Sequence, residues 1–147
     1  MGGLVSVIVP TYKRPDRLMG TLDSIKAQSY RNIEIIVVDD NSPGDDYRRA
    51  TESFITKYSS TFPLKYVKMD QNAGGAMARN RGISEAEGDF ITFLDDDDEY
   101  LPEKVEKQVD KFTNSPMGNL GLIYCQINFM DSRGKFRKMR APMHARG

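Results

Sequence analysis

Short apolar runs and helically spaced apolar stripes alternate along this chain, with polar residues gathered just after the apolar runs. Residues 5–9 form a β-branched run ended by Pro10. From 15 to 28, Leu18, Leu22 and Ile25 recur at helical spacing, and Pro15 suits a first helical turn. Residues 33–38 predict a second strand, with Glu34 its sole polar member. A helix over 45–58 would bring Tyr47, Phe54, Ile55 and Tyr58 near one face. Residues 64–69 alternate as a third strand, 74–85 predict a helix, and 90–94 form a fourth apolar strand. Pro102 then opens a helix with Val105, Val109 and Phe112 in phase, and 120–129 predict a longer fifth strand.

Strands that are apolar on both faces and separated by helices indicate a parallel sheet covered on both sides. Right-handed crossovers put every strand's C-terminal end on one edge, where ligands bind in open α/β sheets. The unusual polar residues follow those ends: Thr11-Tyr12, then Asp39-Asp40, then Asp95-Asp96-Asp97-Asp98. The expected organisation is one α/β domain over 1–131 and a basic tail over 132–147. That tail carries Arg133, Lys135, Arg137, Lys138, Arg140, His144 and Arg146 with no acidic residue.

Composition adds limits. With 147 residues, 39% of them hydrophobic and 29% charged, the chain can bury a core. Formal net charge is zero, so no global field draws it to nucleic acid, and none is expected as a partner. Cys125 is the sole cysteine, which leaves no internal disulfide and reads as a small buried hydrophobe. No apolar stretch nears a membrane span, and Met1-Gly2-Gly3 does not open a signal peptide. A cytoplasmic location is expected.

Four segments carry candidate chemistry. In the acidic run, two ionised carboxylates 4 Å apart repel by about 4 kcal/mol at intermediate dielectric. Mg²⁺ or Mn²⁺ would relieve that repulsion, taking one or two carboxylates and filling its other positions with water and phosphate oxygens. The same run would also serve as a solvated loop ahead of the Pro102 helix. At Asp39-Asp40-Asn41-Ser42, a carboxylate can accept from a nucleobase N–H or ribose hydroxyls, whereas Asn41 and Ser42 suit local turn capping. At Pro10-Thr11-Tyr12-Lys13-Arg14, Tyr12 offers a ring face and Arg14 a phosphate contact. At 72–82, Gly74 and Gly75 permit close backbone approach at a helix start, with Arg79 one turn further on. The glycine spacing there is not that of a dinucleotide fingerprint.

Together the four segments resemble the N-terminal half of family-2 glycosyltransferases, which have the GT-A fold. The resemblance runs from about residue 4 to about residue 130: Val5-Ser6-Val7-Ile8-Val9-Pro10-Thr11-Tyr12-Lys13-Arg14; Ile35-Ile36-Val37-Val38-Asp39-Asp40-Asn41-Ser42; 72–83; and Gly88-Asp89-Phe90-Ile91-Thr92-Phe93-Leu94-Asp95-Asp96-Asp97-Asp98. It implies a Rossmann-like three-layer sandwich with a mostly parallel central sheet, and a donor-binding domain over 1–131. It also implies roles. Pro10, Thr11 and Tyr12 would line a base pocket, with Asp40 accepting from the base and Asp39 supporting that turn. Arg79 would help hold the nucleotide, Asp95 or Asp96 would touch the ribose, and Asp97 would bind Mn²⁺ or Mg²⁺ as the second carboxylate of Asp-x-Asp. Four adjacent aspartates make that register ambiguous, though both registers leave the metal on Asp97.

The implied chemistry is inverting transfer from a nucleoside-diphosphate sugar, UDP-linked by family expectation, to a saccharide or lipid-linked acceptor. That work would place the protein in the cytoplasm, at most peripheral to the inner face of the membrane. Family members continue for roughly another hundred residues that supply the acceptor site and catalytic base, and nothing after Phe129 resembles that half. The catalytic base is therefore unassigned, and a binding-only fragment is one alternative. A homodimer is expected where an apolar edge would otherwise meet the second half. A receiver-like Mg²⁺-binding signalling domain is the other alternative, and it fits poorly: the first strand ends Pro10-Thr11-Tyr12 where acids would be needed.

Overall fold

The computed structural model describes residues 2–131 and the backbone of 136–138. It divides into two compact units, Met1–Thr113 and Asn114–Gly147. The division expected at 131/132 thus falls inside the second unit.

In the first unit, strands β1 (Val5–Thr11), β2 (Ile33–Asp39), β3 (Lys65–Lys68) and β4 (Phe90–Phe93) alternate with helices α1 (Leu18–Lys26), α2 (Asp46–Ser59), α3 (Gly75–Glu85) and α4 (Lys104–Thr113). The strands form one sheet in the order β3-β2-β1-β4, and every pairing is parallel. The two longest strands, β1 and β2, lie centrally and pair from Val5 with Ile33 to Thr11 with Asp39. Their near-continuous burial is what a sheet covered on both faces requires.

Alternation along the strands makes two cores. Val5, Val7, Val9, Ile35 and Val37 pack with Leu18, Leu22 and Ile25 of α1, Ile55 of α2, and Val105 and Val109 of α4. Ile8, Ile36, Val38 and Val67 face the other way and meet Ala78 of α3. Helix α3 can lie close because Gly82 carries no side chain: a Cβ there would stand 2.3 Å from Ile8 Cγ2. These layers are the expected three-layer sandwich.

Helix α1 begins three residues later than Pro15 suggested, with Arg17 as an N-cap lacking a side-chain cap. Asp45 caps α2 by accepting from Tyr47 N, as an N-cap aspartate should. On α2, Phe54, Ile55 and Tyr58 pack on the core as expected, but Tyr47 is exposed, and Arg48 and Thr51 are buried instead.

The second unit corrects two expectations. The strand expected over 120–129 is absent there; only Asn128–Met130 (β5) is a strand, paired antiparallel with Phe136–Lys138 (β6). Leu122, Tyr124 and Ile127 are exposed, so apolar content alone did not create a strand where no described residue pairs with the segment. Cys125 lies in that stretch and is exposed rather than buried. Of the basic tail, all but the backbone of 136–138 lies outside the described residues. No helix among the described residues is long and apolar enough to cross a membrane.

Candidate functional site

Parallel pairing brings the C-terminal ends of β1, β2 and β4 to one edge, and a cleft of about 350 Å³ opens there. Pro10, Thr11, Tyr12 and Arg14 line it from β1, Asp40 from β2, and Asp95, Asp96 and Asp97 from β4. The loop before α3 completes it with Asn72 and Gly74, and α3 itself with Gly75, Ala78 and Arg79. Nine of the ten residues expected at a donor site therefore meet around one space, although they are spread from Pro10 to Asp97. Asp39 is the exception and does not line the cleft.

Asp39 is instead sealed at the end of β2, with no exposed surface. One carboxylate oxygen accepts from Asn41 N and Asn41 Nδ2, at 2.8 and 2.7 Å. The other accepts from Tyr66 Oη at 2.5 Å and faces Arg48 Nε at 3.2 Å. The Nε contact is a charge pairing rather than an aligned hydrogen bond, since that nitrogen has no hydrogen-bond acceptor. Arg48 also donates to the carbonyls of Asp39 and Met69, at 3.2 and 2.8 Å, and to that of Asn41. Burial, then the bond to Asp39, pushes the Tyr66 phenol well above its ordinary range. Asp39 thus ties the end of β2 to the turn that follows it and does not line the cleft.

Asn41 links that support to β1, because its Oδ1 accepts from Lys13 N at 2.9 Å. Lys13 adopts φ 58°, a left-handed conformation uncommon for a side-chain-bearing residue. Asn41 and Lys13 together set the turn that presents Tyr12 and Arg14.

Asp40 has a different task. Its Oδ1 accepts from Ala73 N at 2.9 Å, and its Oδ2 accepts from Asn72 Nδ2 and Gly74 N, both at 2.8 Å. Those bonds fix the loop leading into α3. Gly74 caps that helix at φ 86°, which a side chain would strain, so the glycine is required by the turn. The free N–H groups of the α3 N-terminus then border the cleft, an arrangement that favours an anion.

The four aspartates share one identity but not one environment. Asp96 points inward: Thr11 Oγ1 donates to its Oδ2 at 2.8 Å and Tyr12 N at 3.4 Å. Burial pushes its carboxyl above the usual range, against the opposing pull of Thr11, Tyr12 N and Arg14. Asp97 and Asp95 point outward. Arg14 Nη1 donates to Asp97 Oδ2 at 2.6 Å and reaches Asp96 Oδ1 at 3.3 Å, while Arg79 pairs with Asp95. Asp98 closes a turn, donating its N–H to Asp95 O at 3.0 Å. Burial, then repulsion from Asp97 and Asp95, raises its carboxyl too.

Arg48 and Tyr66 were not among the expected site residues. A signal for Arg48 did exist. Arg48, Thr51 and Ile55 fall at i, i+3 and i+7, a stripe facing the sheet. A charged residue in that stripe marks a buried partner. Nothing local marks Tyr66, whose role depends on pairing between β2 and β3.

Comparison with known proteins agrees with this architecture. Residues 6–143 match the family described as glycosyl transferase family 2. An uncharacterized glycosyltransferase of Haemophilus influenzae is 36% identical over 121 residues, covering 82% of this chain and 38% of that protein. The mannosyltransferase PcManGT of Pyrobaculum calidifontis, solved in complex with GDP-Man and Mn²⁺, superposes with a TM-score of 0.67 at 27% identity, over 79% of this chain and 34% of that one. Residues 1–349 of S. aureus TarS, in complex with UDP-GlcNAc, superpose with a TM-score of 0.66 at 28% identity, over 82% and 37% respectively. The chain thus spans well under half the length of these relatives. The receiver-like alternative falls with the family match, and the chain belongs to glycosyl transferase family 2, with the GT-A fold of its structural neighbours.

Proposed function

We propose that the cleft is the donor site for a UDP-linked sugar, held with Mn²⁺ or Mg²⁺ on Asp97 and Asp96, and that the sugar passes with inversion to a saccharide or lipid-linked hydroxyl. One observation carries this reading. Two converging carboxylates, two arginines and the N-terminus of α3 border the same 350 Å³ cleft. That combination suits a ligand with a ring, a polar ribose and a diphosphate.

The residues fit a hard divalent cation. Among the described residues no cluster of three or more acidic, histidine or cysteine side chains forms a closed cage. Mg²⁺ and Mn²⁺ do not need one beside a diphosphate, because one or two carboxylates suffice. Asp96 and Asp97 already converge on a shared cation, the Arg14 guanidinium. When bound, the metal would neutralise charge on the leaving diphosphate.

The chain's own groups would do the rest. Tyr12 offers a ring face beside Pro10 and Thr11 for the base. Asp40 keeps acceptor capacity toward a base N–H beyond the three donors it already serves. Arg79, beside Asp95, would steady the ribose and diphosphate. The structures bearing GDP-Man with Mn²⁺ and UDP-GlcNAc support a nucleotide-sugar donor with metal.

Calorimetry with UDP, with and without Mn²⁺, on wild type and Asp97→Ala tests the proposal. We expect metal-dependent binding that the substitution weakens at least about tenfold, the loss of one charge-assisted contact. Metal-independent binding left unchanged by Asp97→Ala would overturn it. A second reading is donor binding without turnover by this chain. The acceptor site and catalytic base are assigned to no residue of the cleft. Robust sugar transfer in a donor-consumption assay would refute that second reading.

A further inference from the structure

Two arginine–aspartate pairs flank this site, and they differ in one decisive respect. Arg48 and Asp39 are sealed, at 6% and 0% side-chain exposure, whereas Arg14 and Asp97 stand at 52% and 45%. A sealed pair is a fixture, because separating it strands a charge away from water. A half-exposed pair is weak, and water can take over either partner.

Arg14 is also placed where a competing cation would sit. Its Nη1 is shared between Asp97 Oδ2 at 2.6 Å and Asp96 Oδ1 at 3.3 Å. Asp96 is anchored through its other oxygen, Oδ2, by Thr11 Oγ1 and Tyr12 N. The oxygen left for a cation is therefore the one Arg14 occupies.

We propose that Arg14 is an exchangeable counter-cation, which a divalent metal displaces from Asp96 and Asp97 and which then turns its guanidinium to the donor diphosphate. This rests on the donor-site reading above and adds its order of assembly. Guanidinium and metal compete for the same two carboxylates. The forked N–H groups that metal frees match paired phosphate oxygens. Metal and nucleotide then assist one another through Arg14, and by linkage each strengthens the other by the same factor.

The test measures metal binding without nucleotide. Free Mn²⁺ is followed by its paramagnetic resonance signal during titration of wild type, Arg14→Gln and Arg14→Lys. Arg17→Gln is the control, since Arg17 faces Asp16 at 3.9 Å and lies outside the cleft lining. Thermal melts establish that each variant is folded. Removing a half-exposed competitor should tighten Mn²⁺ about fivefold in Arg14→Gln, with Arg14→Lys between it and wild type and Arg17→Gln unchanged. Calorimetry with UDP should then show a smaller Mn²⁺ enhancement in Arg14→Gln than in wild type.

Equal or weaker Mn²⁺ binding by Arg14→Gln would overturn the proposal, and so would equal tightening by Arg17→Gln, which would reflect net charge alone. If wild type and Arg14→Gln bind UDP but not Mn²⁺, the exchange fails while nucleotide binding stands. If neither protein binds Mn²⁺ or UDP, the donor-site reading falls as well.

Discussion

Arg48 Nε lies 3.2 Å from Asp39 Oδ2, and both side chains are closed off from solvent. The pair locks the end of β2 to α2, and through the Met69 carbonyl to the end of β3. Removing one partner strands the other's charge, which typically costs about 3–5 kcal/mol. Arg48→Ala should therefore lose most of that in urea unfolding, with Asp39→Ala losing a similar amount. The double variant should fall well short of the sum, because neither charge is then left unpaired. Full additivity would mean the two side chains act independently.

Tyr66 sets an alkaline limit on the fold. Burial and the bond to Asp39 raise its folded ionisation above the unfolded value, so the folded state holds its proton longer. The stabilisation is fully present below an unfolded phenol value of about 10 and is lost as pH rises toward the folded value. Tyr58, raised by burial and its bond to Asp23, behaves alike. Absorbance titration at the phenolate band should leave Tyr58 and Tyr66 un-ionised until the protein unfolds. In Tyr66→Phe one such tyrosine should remain, and unfolding should become less steeply dependent on alkaline pH.

Gly82 is a packing requirement rather than a turn requirement. A Cβ there would stand 2.3 Å from Ile8 Cγ2, so α3 would have to lift from the sheet. Gly82→Ala should cost about 1–3 kcal/mol by overpacking, despite alanine's better helix propensity. In an Ile8→Ala background, which lacks that methyl, the cost of Gly82→Ala should shrink in thermal melts. Stabilisation by Gly82→Ala would show that the contact is slack.

Asp40 serves three donors with two oxygens, so Asp40→Asn sets an amide N–H₂ against backbone N–H groups. Leaving such donors unsatisfied costs about 1–3 kcal/mol and releases the loop before α3. UDP affinity should fall at least about tenfold, in line with the same loss. Amide exchange at Ala73 and Gly74 should quicken in that variant, and protection equal to wild type would contradict the anchoring role.

The element order of the first unit was readable from residue type because its strands are buried on both faces and its helices carry one apolar stripe. Helix α4 illustrates this: Val105 and Val109 stand in phase and are both buried. The strand expected over 120–129 was not readable in the same way. Strand formation needs a ladder partner, and apolar residues such as Leu122 and Tyr124 say nothing of where one lies.

Sequence by itself determined the alternation of strands and helices, the carboxylates at strand ends and the chemistry those groups can offer. It could do so because periodicity and residue type act over a few positions. Only the tertiary structure decided what each carboxylate does. Asp39 and Asp40 are neighbours in sequence, yet one is sealed against Arg48 while the other ties down the loop before α3. Asp95, Asp96 and Asp97 are identical, yet Arg79 takes the first, Thr11 anchors the second, and Arg14 bridges the second and third. Those partners come from other strands and helices, and parallel pairing of β1, β2 and β4 brings them within bonding distance.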